Sequence, residues 1–253
     1  MTDHIRTTIG NGIAEITLAR PAKKNAITAA MYAAMRDALR AAAGDDAVRV
    51  VLFTADGDSF TAGNDLADFM APREGELAVT GFLHAIAAAP KPLIAAVRGN
   101  AVGVGTTMLL HCDLVVASET ARLQVPFVNL GLVPEAASSL LLPRLIGHQR
   151  ASAMVLLGEP LDAAAAHAAG IVNRVVADAE LETVARATAA AVAAKAPTAV
   201  RLAKALLKGD GADVRARMDA ESEHFAAQLK SAECREAITA FYEKRAPDFS
   251  RAA

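Results

Sequence analysis

Two stretches of the chain have the residue types of an anion site. The first is Ser59-Phe60-Thr61-Ala62-Gly63-Asn64-Asp65-Leu66 and the second is Gly103-Val104-Gly105-Thr106-Thr107. Each follows an apolar run of strand character, uses small residues and leads into a segment of helical character. The first turn of a helix leaves about four N–H groups without intrahelical partners and carries partial positive charge. Glycine lets a ligand approach the backbone closely. Two such loops side by side would form an oxyanion hole, in which one donor is worth roughly 3–4 kcal/mol in rate. The same residue types also fit two ordinary strand–glycine–helix connections. A nucleotide loop fits poorly, because Gly99, Gly103 and Gly105 miss the G-x-G-x-x-G order.

The third chemical element is a carboxylate, Glu135, in the apolar run Leu132-Val133-Pro134-Glu135-Ala136-Ala137. Burial would raise its pKa and the helix start that follows would lower it, so the sign stays open. The structural alternative is a carboxylate serving the helix dipole. Ser138 and Ser139 lack a G-x-S-x-G elbow and read as caps and packing residues. Asp65 reads as a cap closing the first loop, and His111, on an apolar helix, as a core residue. The histidines show no metal-ligand spacing, so no metal is expected.

Several elements must position these groups. Ile5–Ile9 and Ile13–Leu18 flank Gly10-Asn11-Gly12, which predicts a hairpin. Thr28 is placed to cap a helix in which Met31, Met35 and Leu39 share one face. Buried strands are expected at Arg49–Phe53, Pro92–Val97 and Leu114–Ala117, and helices at Glu74–Ala89 and from about Thr106. Beyond about Ala136 the pattern predicts helix, interrupted by one strand-like stretch, Gly170–Val176. With no linker, repeat or low-complexity tract, one domain over 1–253 is expected, about 1–195 forming the core and about 196–253 a helical C-terminal region. Apolar residues on more than one face of that region (Phe225, Leu229, Ile238, Phe241) suggest packing on another subunit.

Composition narrows the partners. Over 253 residues the formal net charge is −2, with basic residues scattered, so neither nucleic acid nor a membrane surface is expected. No apolar run approaches the ~18–20 residues of a spanning helix. The N-terminus, MTDHIRTTIG, has no hydrophobic segment of signal length. Cys112 and Cys234 fit no zinc or redox spacing. A soluble protein of the reducing cytoplasm is the expectation.

Arg20-Pro21 with Asn25-Ala26-Ile27, then Phe60 through Leu66, then Val97-Arg98-Gly99-Asn100-Ala101-Val102-Gly103-Val104-Gly105 resemble the signatures of the crotonase (enoyl-CoA hydratase/isomerase) superfamily. Cys112-Asp113, Pro134-Glu135, Leu161-Asp162, Gly170-Ile171-Val172 and Phe241 through Lys244-Arg245 continue the match in order. The resemblance implies an α/β fold, a crotonase-like β-β-α spiral core with a helical C-terminal trimerisation region, assembled as a homotrimer or dimer of trimers. It implies acyl-CoA substrates, with coenzyme A as part of the substrate and no other cofactor. The thioester oxygen would be held by the N–H groups of Asn64 and Val104.

Hydratases of this family use two glutamates, and the matching positions here are Thr107 and Phe127, which would instead line the acyl pocket. Pro126 through Ser139 is similar to the peroxisomal type of Δ3,Δ2-enoyl-CoA isomerase, whose one catalytic glutamate matches Glu135. One carboxylate suits a reaction that removes a proton at one carbon and returns it two carbons along. For coenzyme A, the family positions fall on Lys23 and Lys24 near the phosphates, the carbonyls of Thr61 and Ala62 near the adenine, and Phe241 and Lys244 from a neighbouring subunit. The alternatives are a hydratase or other reaction on the same hole, and a non-catalytic acyl-CoA-binding module.

Overall fold

The computed structural model describes residues 2–69 and 78–251. Its strands are β1 (Ile5–Gly10), β2 (Ile13–Leu18), β3 (Val50–Ala55), β4 (Leu93–Val97), β5 (Asn100–Val102), β6 (Leu114–Ser118), β7 (Arg122–Gln124), β8 (Leu161–Asp162) and β9 (Arg174–Val176). Its helices are α1 (Ala29–Gly44), α2 (Leu66–Phe69), α3 (Ala78–Ala87), α4 (Val104–Thr107), α5 (Ser138–Ile146), α6 (His148–Ser152), α7 (Ala163–Ala168), α8 (Leu181–Ala193), α9 (Pro197–Lys208), α10 (Ala212–Gln228) and α11 (Ala232–Glu243).

A six-stranded sheet runs β1-β2-β3-β4-β6-β9, and a three-stranded sheet runs β5-β7-β8. The β1/β2 hairpin is antiparallel, and β2 through β9 pair in parallel along the larger sheet. Its turn is Asn11-Gly12, both at positive φ (52° and 79°), as a two-residue hairpin connection requires. The chain passes from the large sheet to the small one at β4–β5 and again at β6–β7. Each passage is a step of the β-β-α spiral that the resemblance implies, within an α/β fold.

The near-continuous apolar runs of β3, β4 and β6 are explained by burial on both faces. Val51, Phe53, Leu93, Ala95 and Val97 join the main core with α1 and α3. Val50, Leu52, Ile94 and Ala96 face the other way, onto Leu181, Ala185, Ala189 and Ala193 of α8. The small alanine stripe at every fourth residue lets α8 lie close against the sheet. Thr28 caps α1 by accepting from Met31 N, and Met31, Met35 and Leu39 are buried as expected. Phe225 and Ile238 enter the main core and Leu229 packs beside it, whereas Phe241 is 60% exposed.

Several boundaries differ from expectation. The helix anticipated from about Thr106 begins at Val104, makes one α turn and tightens to a 3-10 helix through Met108–His111. The first residues of the Glu74–Ala89 helix (74–77) lie outside the described residues, and α3 spans Ala78–Ala87. Helix α5 begins only at Ser138, because Ala136 and Ala137 are both left-handed, at φ 59° and 55°. Of the Gly170–Val176 stretch only Arg174–Val176 pairs as a strand. Ahead of it, Gly170 at φ 89° ends α7, and Ile171 N and Val172 N both donate to Ala166 O. The small strands β5, β7 and β8 have two or three residues each and too little pattern to be recognised.

Gly99 makes the first passage between sheets. It sits at φ 55°, and a Cβ there would collide with the backbone carbonyl of Asp58. Gly99→Ala is expected to lower stability by about 2–4 kcal/mol, from the left-handed penalty plus the clash. Denaturant unfolding checks this, and Gly10→Ala, where a Cβ meets nothing, is the control.

Candidate active site

The two glycine loops are laced together. Thr61 N donates to Asn100 O at 2.9 Å, Val102 N donates to Thr61 O at 3.0 Å, and Phe60 N donates to Arg98 O at 2.8 Å. The close packing is why Gly105 is glycine: Thr61 Cγ2 occupies the space a Cβ would need. On its other side the first loop is tied to the segment before α1. Asn25 Nδ2 donates to Asp56 O and Ser59 O, and Thr61 Oγ1 donates to Asn25 O at 2.7 Å. Asp65 caps α2 by accepting from Asp68 N at 3.2 Å and pairs with Arg20 at 2.7 Å. It is the cap the sequence suggested.

These bonds use the amides on either side of Asn64. Gly63 N donates to Thr61 Oγ1 and Asp65 N donates to Ile27 O. In the second loop Gly103, at φ 56°, donates to Gln124 O, while Thr106 N and Thr107 N turn back to Gly103 O. Among the described residues, neither Asn64 N nor Val104 N donates to a backbone carbonyl. Such amides, each held by its bonded neighbours, can stabilise negative charge whatever their side chains.

Glu135 is 6% exposed. The hydroxyl of Thr107, three residues after Val104, donates to its Oε1 at a long 3.5 Å. Burial pushes the Glu135 carboxyl up to about 8, the nearby Glu221 charge adds to the rise, and the Thr107 hydroxyl opposes it. Burial therefore wins over the helix start, for a structural reason. The free amides at the start of α5 point to a different carboxylate: Ala137 N donates to Glu221 Oε2 at 2.6 Å and Ser139 N to Glu221 Oε1 at 2.9 Å. Ser139 Oγ also donates to Oε1, at 2.5 Å. Glu221 thus does the capping expected of the serines, and Ser138 Oγ is buried without a hydrogen-bond partner among the described residues.

Tyr32 completes the ring of contacts. It is 3% exposed, and its hydroxyl donates to Asn64 Oδ1 at 2.6 Å. Burial first and the Glu135 charge second hold its pKa well above the ordinary phenol value, so Tyr32 stays a donor between the first loop and Glu135. His111 is a core residue, as expected. Burial lowers its pKa to about 4, and its neutral ring donates from Nε2 to Ala136 O at 2.8 Å.

The other expected residues divide into two groups. Thr107 is fully buried beside Glu135, and the Phe127 ring lies 3.9 Å from the position of a Cβ on Gly103, so both border the second loop. Lys23 and Lys24 are exposed on the turn before α1, where Lys24 Nζ pairs with Asp58 at 2.6 Å. Ala62 is exposed and donates its N–H to Lys24 O, whereas Thr61 is buried with its carbonyl held by Val102 N. Phe241 and Lys244 lie elsewhere, at the exposed end of α11, a helix whose contacts run to residues 128–130 and 249–251. Among the described residues no three His, Cys, Asp or Glu side chains form a group that could hold a metal ion.

Tyr32 and Glu221 were not anticipated from the sequence. Both carried a signal: each is a polar residue within an otherwise buried helical stripe, Tyr32 beside Met31 and Met35, and Glu221 between Met218 and Phe225.

Residues 8–252 match the family model described as enoyl-CoA hydratase/isomerase. The chain is 36% identical over 250 residues to enoyl-CoA delta isomerase 2 of Rattus norvegicus, covering 95% of this chain but only 64% of the rat protein. It is 37% identical over 242 residues to 2,3-dehydroadipyl-CoA hydratase of Escherichia coli strain K12, covering 92% of this chain and 93% of that protein. Among solved structures, an enoyl-CoA hydratase/isomerase from Pseudoalteromonas atlantica T6c superposes with a TM-score of 0.95 at 47% identity, over 98% of this chain and 100% of that one.

A buried carboxyl whose pKa is raised on folding binds its proton more tightly in the native than in the unfolded state. Stability from this group is therefore complete below the ordinary glutamate range near 4.5 and is lost as pH rises toward about 8. Glu135→Gln, which cannot ionise, should be more stable than the parent at pH 8 by on the order of 4 kcal/mol, or roughly 8–16 °C in Tm. The gap should close near pH 4.5. Thermal melts across that pH range read it directly.

Proposed function

The chain belongs to the enoyl-CoA hydratase/isomerase family, and we propose that within it this protein is a Δ3,Δ2-enoyl-CoA isomerase with Glu135 as its proton shuttle. The observation that carries this reading is that, among the described residues, Glu135 is the buried carboxyl near Thr107 of the second loop whose oxygens are not engaged by helix-start amides. The Glu135 carboxylate takes a proton from C2 of a 3-enoyl-CoA, and the electron pair of the C–H bond delocalises through the thioester onto its oxygen. The amides of Asn64 and Val104 hold that oxyanion. Protonated Glu135 then returns the proton to C4, and the double bond moves from C3–C4 to C2–C3. A carboxyl pushed up to about 8 is suited to both steps, since its two protonation states are close in energy near neutral pH.

Hydration would need a second group to activate water. Thr107 and Phe127 stand where family hydratases carry their glutamates, and neither side chain is a carboxylate. Glu221 is the other carboxylate nearby, but both its oxygens are engaged by residues 137 and 139. The position of Thr107 and Phe127 around the second loop suits them to line the acyl pocket. Lys23, Lys24 and Ala62 are exposed beside the first loop, where the nucleotide end of coenzyme A would lie, whereas Thr61 is buried behind them with its carbonyl engaged by Val102 N. Phe241 and Lys244 would reach that end from another subunit of a homotrimer or dimer of trimers. Exposed Leu202, Leu206 and Leu207 on α9 supply an apolar face for such an assembly.

Incubation with 3-enoyl-CoA and, separately, with 2-enoyl-CoA tests the reaction. Double-bond migration without rapid water addition is expected, and Glu135→Gln should lower kcat by roughly 10²–10⁴-fold. Rapid hydration of the 2-enoyl substrate would support a hydratase instead, and tight coenzyme A binding without turnover would support a binding module. The base must be ionised in the free enzyme. Hence kcat/KM for migration should rise with pH and level off above about 8.

A further inference from the structure

Glu135 is followed by two consecutive residues in the left-handed region, Ala136 at φ 59° and Ala137 at φ 55°. Neither is glycine or asparagine, the residues that visit this region at low cost. Left-handed alanines persist only where the surroundings over-determine them. Here the restraint comes from two sides. His111 Nε2 donates to the carbonyl of Ala136, and Glu221 of α10 accepts from the amide of Ala137 and from both the amide and the hydroxyl of Ser139. The three donors on Glu221 span the whole turn from the left-handed pair into α5. A side chain 84 residues away in the sequence therefore sets the direction in which Glu135 leaves the backbone.

We propose that Glu221 is a positioning residue for Glu135: it clamps the 136–139 turn and keeps a fixed negative charge behind the Glu135 carboxyl, so that of the two buried acids Glu135 holds the proton. The inference rests on Glu135 being the proton shuttle. The asymmetry is geometric. Glu221 accepts three hydrogen bonds, all of which favour its ionised form, whereas Glu135 has one long contact from Thr107. Burial raises the Glu221 carboxyl above the ordinary range, and its hydrogen bonds from Ser139 and Ala137 and the Arg217 charge oppose that rise, Arg217 donating to Ser139 Oγ at 3.1 Å. A second carboxylate held close raises the Glu135 pKa, in the same direction as burial does.

Other ionisable groups surround the pair. Tyr32 and His111, which face Glu135 and its turn, are both neutral for the reasons given above. On the outer side, Arg217 and His224 share a surface cleft with Glu221, Val133 and Pro134. Farther along α10, Asp219 faces His84 of α3 at 3.8 Å and Asp213 pairs with Arg144 of α5.

Titration of glutamate carboxyl carbons by 13C NMR tests this without substrate. With the Glu135 resonance assigned by its loss in Glu135→Gln, its midpoint should fall by at least about one pH unit in Glu221→Gln, and Glu221→Asp should restore much of the rise. An unchanged midpoint in folded Glu221→Gln would overturn the proposal. If that variant does not fold, the Glu135→Gln protein still decides. There Glu221 should titrate in the lower of the two steps seen in the parent, and its appearance in the upper step would overturn the assignment. The pH profile of kcat/KM for double-bond migration should move with the NMR midpoint. Absence of migration in the parent protein would remove the isomerase reading, while the titration would still judge the role of Glu221.

Discussion

Water is kept from one carboxyl group, and much of the site follows from the need to hold it there. Glu135 has almost no solvent contact and, among the described residues, one distant hydroxyl as its hydrogen-bond partner. A buried group so weakly bonded favours its neutral form, and its ionised form is costly. The protein accommodates it by assigning the nearby helix-start amides to Glu221 and not to Glu135. Had those amides faced Glu135, they would have stabilised the carboxylate and weakened it as a base. The left-handed turn at Ala136 and Ala137 and the neutral imidazole of His111 both serve this arrangement.

The opposing half of the site uses backbone instead of side chains. Asn64 N and Val104 N are positioned by hydrogen bonds of the residues around them, and the two loops that hold them are joined through Thr61. Glycines appear where that packing demands them, at Gly105 against Thr61 and at Gly99 against Asp58. Tyr32 spans the halves by binding the Asn64 side chain close to Glu135. An oxyanion hole of the kind proposed would be indifferent to which carbon is deprotonated. It accounts for one family containing both isomerases and hydratases by name, and it leaves the choice of reaction to the carboxylates.

The parts legible in the sequence were those with a local cause. The Asn11-Gly12 hairpin, the Thr28 cap, the doubly buried strands and the Asp65 cap each depend on neighbours in the chain. The family resemblance implies Asn64, Val104 and Glu135 as site residues, while composition and periodicity alone also fit ordinary loops and a helix-start carboxylate. What escaped was set by distant contacts. The start of α5 moved because Glu221, far along the chain, stabilises a turn that alanines do not choose on their own. Strands β5, β7 and β8 exist because the spiral brings short segments together, and two or three residues hold no readable alternation. The polar members of the α1 and α10 stripes were visible in the sequence, but only the assembled fold shows what they touch.

In the proposed reaction one buried carboxyl takes a proton from one carbon and gives the same proton to another. Isotope tracing follows that proton. A 3-enoyl-CoA carrying two deuterons at C2, turned over in ordinary water, should yield 2-enoyl-CoA in which a measurable fraction of the removed deuterium appears at C4, and Glu135→Gln should slow migration steeply and remove the transfer. Product formed with no deuterium at C4, or formed equally well by the Glu135→Gln protein, would contradict it.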